Sequence, residues 1–319
     1  VKDSVRDTYI MAVGAVYEDE LMGYKEQLEN GEISDEEYNL LLTDVFNRCD
    51  QKTVDKVEDF LIDLRENLYY FEVDNAKTDI LKGRIDLYLA WSGDAVYAMD
   101  CGEEKGVDIN LGYVVPESGS NIWFDGFVMP KTVSDSQAKL AIEFLNYLSR
   151  PESAVRNMEY IGYSSVISGD ADEPFTLSYL DEDDEEYTCE YTGVLDWVIQ
   201  NYGVEDEEDE EYVETVDLSY FFGEEGEKVY SYDHGRQLYG LYSDTETIKR
   251  CIIMKTFDEE ASKAVDDMWK NVKFVSLSTT AMIVVASVLG ALIVTFIILK
   301  YSKGALLRKA TKIEKNKKF

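Results

Sequence analysis

The spacing of apolar residues predicts helices over the first part of the chain. Over residues 4–28 the apolar side chains recur toward one face, as in an amphipathic helix. A second helix is predicted to begin at Ser34, a capping residue followed three positions later by Glu37. A third is predicted to begin at a capping Thr53. The chain therefore opens with helical structure.

The period of the pattern then changes from that of a helix to that of strands. Three short runs, at residues 83–91, 109–116 and 121–130, are rich in Ile, Val and aromatic residues and are punctuated by Gly or Pro, as strands are. Helical spacing returns over residues 134–150, and Pro151 stands where it would open the next helix. Alternating helices and strands favour an α/β fold over an all-α bundle.

Acidic residues are concentrated in a stretch at about 170–215, with peaks at residues 181–187 and 205–212. Neither peak has the glycine and the spaced oxygen ligands of an EF-hand loop, so a calcium site is a weak interpretation. We expect solvated acidic loops inserted in the folded domain. Beyond them, residues 258–273 are predicted to form a helix.

The C-terminal part has the pattern of a membrane anchor. Residues 274–299 contain no charged side chain, and a helix of this length would extend roughly 39 Å, enough to cross a hydrocarbon core of about 30 Å. The basic segment 300–319 would lie in the cytoplasm by the positive-inside rule, which places residues 1–273 outside the cell membrane. We expect an export signal or further membrane helices ahead of Val1, because the first residues supply neither.

Net charge excludes some partners. The formal charge is −34 overall, and because residues 300–319 hold eight Lys or Arg and one Glu, the preceding 299 residues carry −41. Such a body repels nucleic acid and anionic lipid, whereas it attracts cations.

Residue types limit the chemistry further. His234 is the only histidine, which argues against histidine-based metal sites and against Ser-His or Cys-His catalysis. The four cysteines, at positions 49, 101, 189 and 251, form no CxxC pair, and the sequence does not choose among their disulfide pairings. We expect no enzyme, no cofactor and no metal site.

One strand carries a candidate binding site. Trp123 and Asp125 are two positions apart in a predicted strand, so both would point to the same face. An aromatic ring beside a carboxylate is a plausible seat for an organic cation, since both attract positive charge. Asp94, by contrast, we interpret as a cap of the helix that follows Gly93.

An ordered set of motifs resembles the spermidine/putrescine-binding proteins of bacterial ABC transporters. The elements are WSG at 91–93, PESG at 116–119, WFD at 123–125, RPE at 150–152 and IGY at 161–163. The resemblance is looser on both sides of this region, and it does not extend to the first lobe of that family, so we expect an N-terminally truncated member.

The resemblance implies a periplasmic-binding-protein-like (type II), two-lobed fold, with the first lobe incomplete and a polyamine in the cleft. The family's ligand contacts map onto five residues of this chain, Trp91, Trp123, Asp125, Tyr163 and Asp7. Ser4 stands where some members have a second acid, which leaves the choice of polyamine open. The implied role is extracytoplasmic binding of spermidine or putrescine and its delivery to the permease and ATPase of an ABC transporter.

Several alternatives stay open. A permease fused upstream in the same polypeptide would explain both the C-terminal span and the missing export signal. The same fold also serves other small organic ligands, or a cell-surface sensor or adhesin, because a fold does not fix a ligand. With one lobe incomplete, we expect the chain alone to bind polyamine weakly.

Overall fold

The computed structural model describes residues 1–107, 110–180, 185–203, 214–231, 236–274 and 287–296. The chain divides into two compact units, Val1–Met268 and Trp269–Phe319. The first unit contains the elements that form the candidate site. The architecture is mixed α/β, with helices predominating in the described residues.

Four helices open the first unit. They are α1 (Val5–Val16), α2 (Glu18–Glu29), α3 (Asp35–Phe46) and α4 (Gln51–Arg65). The single helix predicted over 4–28 is two helices that meet at Tyr17, where the backbone departs from helical geometry with φ −112° and ψ 21°. Tyr9, Leu21 and Leu42 are among the core residues from this group.

The helix caps partly match the prediction. Ser34 and Glu37 form the expected capping box at the start of α3, so that cap is confirmed. The cap predicted at Thr53 is wrong, because α4 begins two residues earlier and Asp50 accepts a hydrogen bond from the Thr53 amide at 3.3 Å. An aspartate just outside the helix supplies the side-chain acceptor that the first turn needs.

Four more helices follow along the chain. They are α5 (Ala76–Leu81), α6 (Ser92–Glu104), α7 (Asp135–Leu148) and α8 (Pro151–Ile161). Pro151 occupies the first turn of α8, as predicted. The α8 helix packs against α6 and against α9 (Val194–Tyr202), around a second core that includes Val155 and Trp197.

The strands are short and form three two-stranded sheets within the described residues. Their bounds are β1 (Ser120–Asn121), β2 (Asp170–Leu180), β3 (Glu186–Gly193), β4 (Glu214–Val216), β5 (Val229–Ser231) and β6 (Cys251–Ile252). The β1 and β6 strands are parallel, with Ser120 opposite Cys251, and the other two pairs are antiparallel. The parallel pair joins the segment after the PESG motif to the late part of the chain.

Most of the three strands predicted at 83–91, 109–116 and 121–130 are irregular backbone; only residues 120–121 pair as a strand. A strand requires a neighbour to receive its backbone hydrogen bonds, and composition does not supply one. The acidic stretch at about 170–215 also differs from the expectation, because the β2–β3 hairpin and α9 fall within it. Its acidic peaks lie largely outside the described residues, at 181–184 and 204–213.

The remaining described elements complete the chain. They are α10 (Ser219–Phe222), a 3-10 turn (Gly223–Gly226), α11 (Gln237–Leu241), α12 (Thr245–Lys249) and α13 (Glu259–Lys273). The four cysteines are free. His234 lies outside the described residues.

The expected membrane span at 274–299 is described only at Phe274 and over residues 287–296, which are helical. Within the described part of the chain, no helix combines the length and the apolar character that crossing a bilayer requires. The remainder of the expected span and the basic segment 300–319 lie outside the described residues.

Candidate functional site

A cavity of about 300 Å³ lies in the first unit. Its walls come from the start of α1, the irregular segment that leads into α6, residues 110–116 and the residues around β1. Most of the lining is apolar, and the polar side chains include Asp7, Asp86 and Asn121. An apolar cavity with a few polar groups is the usual form of a small-molecule site.

Trp91 is placed by the start of a helix. It is the residue before α6 and has an extended backbone, with φ −73° and ψ 149°, while its ring borders the cavity. The following Gly93 is required by close packing, since a Cβ at this position would collide with the ring of Tyr163. The start of α6 and the residues after α8 are therefore in direct contact.

Gly162 completes this contact. It ends α8 in the left-handed region, at φ 75°, where glycine is favoured over other residues. A Cβ on Gly162 would lie only 2.6 Å from the carbonyl oxygen of Gly93. The glycines of the WSG and IGY motifs thus let two helix ends approach each other, and this explains why both motifs contain glycine.

A buried lysine lies at the edge of the cavity. The Lys2 ammonium pairs with Asp94 and donates a hydrogen bond to the carbonyl oxygen of Val73 at 2.6 Å. It also lies 4.2 Å from the ring centroid of Trp91 and 5.2 Å from that of Tyr88. Lys2 is 2% exposed and Asp94 is 6% exposed. Carboxylate, carbonyl and two aromatic faces together form a cage around one ammonium group.

Asp94 connects this cage to a second cation. Lys77 approaches Oδ1 of Asp94 at 3.4 Å, and the Tyr88 hydroxyl donates at 3.3 Å to Oδ2, the oxygen that also pairs with Lys2. Burial disfavours the charged form of Lys77, but Asp94 and then Asp74 outweigh this effect and raise its pKa. Burial, followed by the negative charges of Asp94 and Glu72, raises the pKa of Tyr88 well above its usual range. Tyr88 is therefore a neutral hydrogen-bond donor at physiological pH.

Three of the five residues predicted for the site lie together at the cavity: Trp91, Trp123 and Asp7. Asp7 is in the first turn of α1 and accepts a hydrogen bond from the Ser4 hydroxyl at 2.5 Å. The Ser4 hydroxyl thus orients the Asp7 carboxylate.

Asp125 and Tyr163 lie beside the cavity rather than in its wall. Asp125 is exposed, on an irregular segment in which Phe124, Phe127 and Val128 are exposed as well. Tyr163 is half-buried against Gly93, and burial, then the charges of Asp94 and Asp125, raise its pKa. The expected pairing of Trp123 and Asp125 on one strand face does not occur, because this segment is not a strand.

Sequence reasoning missed Lys2 and misinterpreted Asp94. Among the described residues, the side chain of Asp94 accepts hydrogen bonds from Lys2, Lys77 and Tyr88, and none of these bonds is a helix cap. Its position three residues after Trp91 is the one signal in the sequence that could have indicated a site. Lys2 is 92 positions from Asp94 in the chain, and no local pattern reveals so distant a contact.

Part of the chain matches a family of known proteins. Residues 23–179 match the family model described as bacterial extracellular solute-binding protein. The chain is similar to that family over just under half of its 319 residues. The match covers Trp91, Trp123, Asp125 and Tyr163, whereas Lys2 and Asp7 precede it.

Curated relatives agree with this match. The putrescine/agmatine-binding protein of Pseudomonas aeruginosa is 30% identical over 108 residues, which cover 34% of this chain and 29% of that protein. The putrescine-binding periplasmic protein PotF of Escherichia coli has the same identity and the same coverage. The spermidine/putrescine-binding periplasmic protein of Salmonella typhimurium is 28% identical over 117 residues, 37% of this chain and 31% of that protein. The matched part spans about a third of the length of these relatives.

Proposed function

We propose that this chain binds a polyamine such as putrescine or spermidine outside the cytoplasm and delivers it to an ABC transporter permease. The observation that carries the proposal is the cavity in which the Asp7 carboxylate lies with the rings of Trp91 and Trp123. The neighbouring cage holds the Lys2 side chain, a primary ammonium on four methylenes, which are the groups that make up putrescine. The names of the relatives support the same ligand class.

The ligand would occupy the cavity beside Lys2. Asp7 offers a carboxylate for an ammonium group, while Trp91 and Trp123 offer aromatic faces for cations or methylene stems. A cation over an aromatic face contributes about 0.5–2 kcal/mol. A carboxylate about 4 Å from an ammonium contributes up to roughly 4 kcal/mol before the cost of desolvation. The costs of desolvation and association offset part of these terms, and the role is binding, with no chemical step.

Ligand-observed NMR titration of the 319-residue chain with putrescine tests the proposal. We expect saturable binding, weakened about tenfold or more in Asp7→Asn because a charge-assisted contact is lost. The matched control is Asp59→Asn, since Asp59 is an exposed carboxylate on α4. Equal losses in both variants would show that diffuse negative charge attracts the amine, and the proposed site would then be rejected.

The location of the domain is a further part of the proposal. The apolar run at 274–299 and the basic segment 300–319 support a single-pass anchor with residues 1–273 outside the cell membrane. In intact cells, we expect added protease to cleave the acidic body while a tag after Phe319 stays protected. Protection of the body together with cleavage of the tag would reverse this orientation.

A further inference from the structure

The cage at the edge of the cavity is already filled by the chain itself. The Lys2 ammonium has a carboxylate oxygen of Asp94, the carbonyl oxygen of Val73 and the faces of Trp91 and Tyr88 around it. At 2% exposure, it is closed off from solvent. A cation from outside can use this cage only if Lys2 leaves it.

The backbone of Lys2 is held in place on both sides. The amide of Glu72 donates to the carbonyl oxygen of Val1 at 3.0 Å, and the amide of Asp3 donates to the carbonyl oxygen of Glu72 at 2.7 Å. The Thr8 hydroxyl donates to the carbonyl oxygen of Lys2 at 2.8 Å. Because the backbone of Lys2 is fixed, its ammonium stays close to the cage. If the ammonium leaves the cage, it rebinds in an intramolecular step, which a high effective concentration favours.

Displacement of Lys2 is also costly. A buried ammonium that loses its carboxylate must move to solvent or stay buried unpaired, and both outcomes oppose exchange with a free amine. Such an exchange adds no ion pair to Asp94, since Lys77 already approaches its second oxygen. The carboxylates that line the rest of the cavity are Asp7 and Asp86.

We infer that Lys2 determines how many ammonium groups a ligand of this site can carry. Its own ammonium permanently fills one of the positions for a cation. The cavity therefore selects amines with one ammonium group fewer than the cage and the cavity together could hold. The inference rests on the proposed function, because it concerns which polyamine is bound. Lys2, which lies outside the motifs of the site, would thus cause a preference for the diamine putrescine over the triamine spermidine.

The selectivity can be measured with Lys2→Met, which keeps an apolar stem of similar length and removes the ammonium. Putrescine and spermidine are titrated separately into the wild-type chain and the variant, with ligand-observed NMR as the readout. We expect the affinity for spermidine relative to putrescine to rise at least tenfold in Lys2→Met, because the Met side chain is one heavy atom shorter than Lys and leaves the ammonium position beside Asp94 to the ligand.

The matched control is Lys77→Met, which removes a positive charge from the same carboxylate but on its partly exposed side. We expect its selectivity to stay within about twofold of the wild type. Binding of both amines with an unchanged ratio in Lys2→Met, or an equal shift in Lys77→Met, overturns the role of Lys2 and leaves the proposed function standing. No saturable binding of either amine by wild type or Lys2→Met overturns the proposed function itself.

Chemical rescue examines the cage without any polyamine. Lys2→Ala leaves a channel with the shape of a propylammonium ion beside Asp94, so its thermal midpoint should fall. We expect about 10 mM n-propylammonium to restore at least half of that fall, and n-propanol at the same concentration and ionic strength to restore none. Equal recovery with both compounds, or none with either, would contradict a cage built for an ammonium group. If Lys2→Ala does not fold, the same comparison is made on Lys2→Ser, which leaves nearly the same channel.

Discussion

At the scale of single residues, the environment of a carboxylate decides its role more than the motif in which it occurs. Asp94 and Asp125 both stand two or three positions after a tryptophan, yet one is buried between two lysines and the other is exposed. The cost of leaving a charge unpaired rises steeply as water is excluded. Asp94 is therefore tied to the stability of the fold, whereas Asp125 remains solvated.

This contrast predicts different losses of stability for the same substitution. Asp94→Asn should lower the free energy of unfolding by about 3–5 kcal/mol, because the Lys2 ammonium would stay buried without its carboxylate. Asp125→Asn should change it by less than about 0.5 kcal/mol, as is usual at exposed positions. Urea denaturation of both variants measures the difference. Similar small effects would mean that Lys2 reaches solvent when Asp94 is neutralised.

At the scale of elements, local signals predicted helix ends better than strands. The capping box at Ser34 and the proline that opens α8 follow from contacts within four residues, so the sequence displays them directly. Strand pairing depends on a distant partner, and β1 finds its partner 131 positions later, where Ser120 lies opposite Cys251. Composition alone therefore marked three strands, of which a single residue, Asn121, is paired.

The contact between α6 and the end of α8 gives a prediction at this scale. Gly93→Ala should lower the free energy of unfolding by about 1–3 kcal/mol, because the new methyl group displaces the ring of Tyr163. Gly23→Ala is the matched control, since Gly23 is also helical and a Cβ there meets no atom within 4 Å. It should stabilise the chain by about 0.5–1 kcal/mol. Equal changes at both positions would mean that Tyr163 moves aside without cost.

At the scale of the whole molecule, contacts between distant parts of the chain could not be predicted from the sequence. Trp91, Trp123 and Asp7 were predicted from motifs and lie at one cavity. The contact of Lys2 with the site was not predicted. It forms only when Lys2 pairs with Glu72 through the backbone, which brings its side chain to Asp94 of α6. Such a contact is a property of the folded chain, and patterns of charge along the sequence do not contain it.

The same separation between local and global electrostatics predicts how salt acts on the protein. Residues 1–299 carry a formal charge of −41, so the folded state repels itself at low ionic strength. Raising the ionic strength from about 10 mM to about 150 mM shortens the Debye length from about 30 Å to about 8 Å. In urea denaturation, which adds no charge, this change should increase the free energy of unfolding by roughly 1–2 kcal/mol.

The buried pair should respond differently to the same change. Lys2 and Asp94 are closed off from solvent ions, so the stability lost in Asp94→Asn should be the same at both ionic strengths within about 0.5 kcal/mol. If salt reduced that loss as strongly as it relieves the overall repulsion, the pair would be accessible to ions. The Lys2 ammonium would then be free to exchange with a ligand, and the cage would act as an open subsite instead of a filled one.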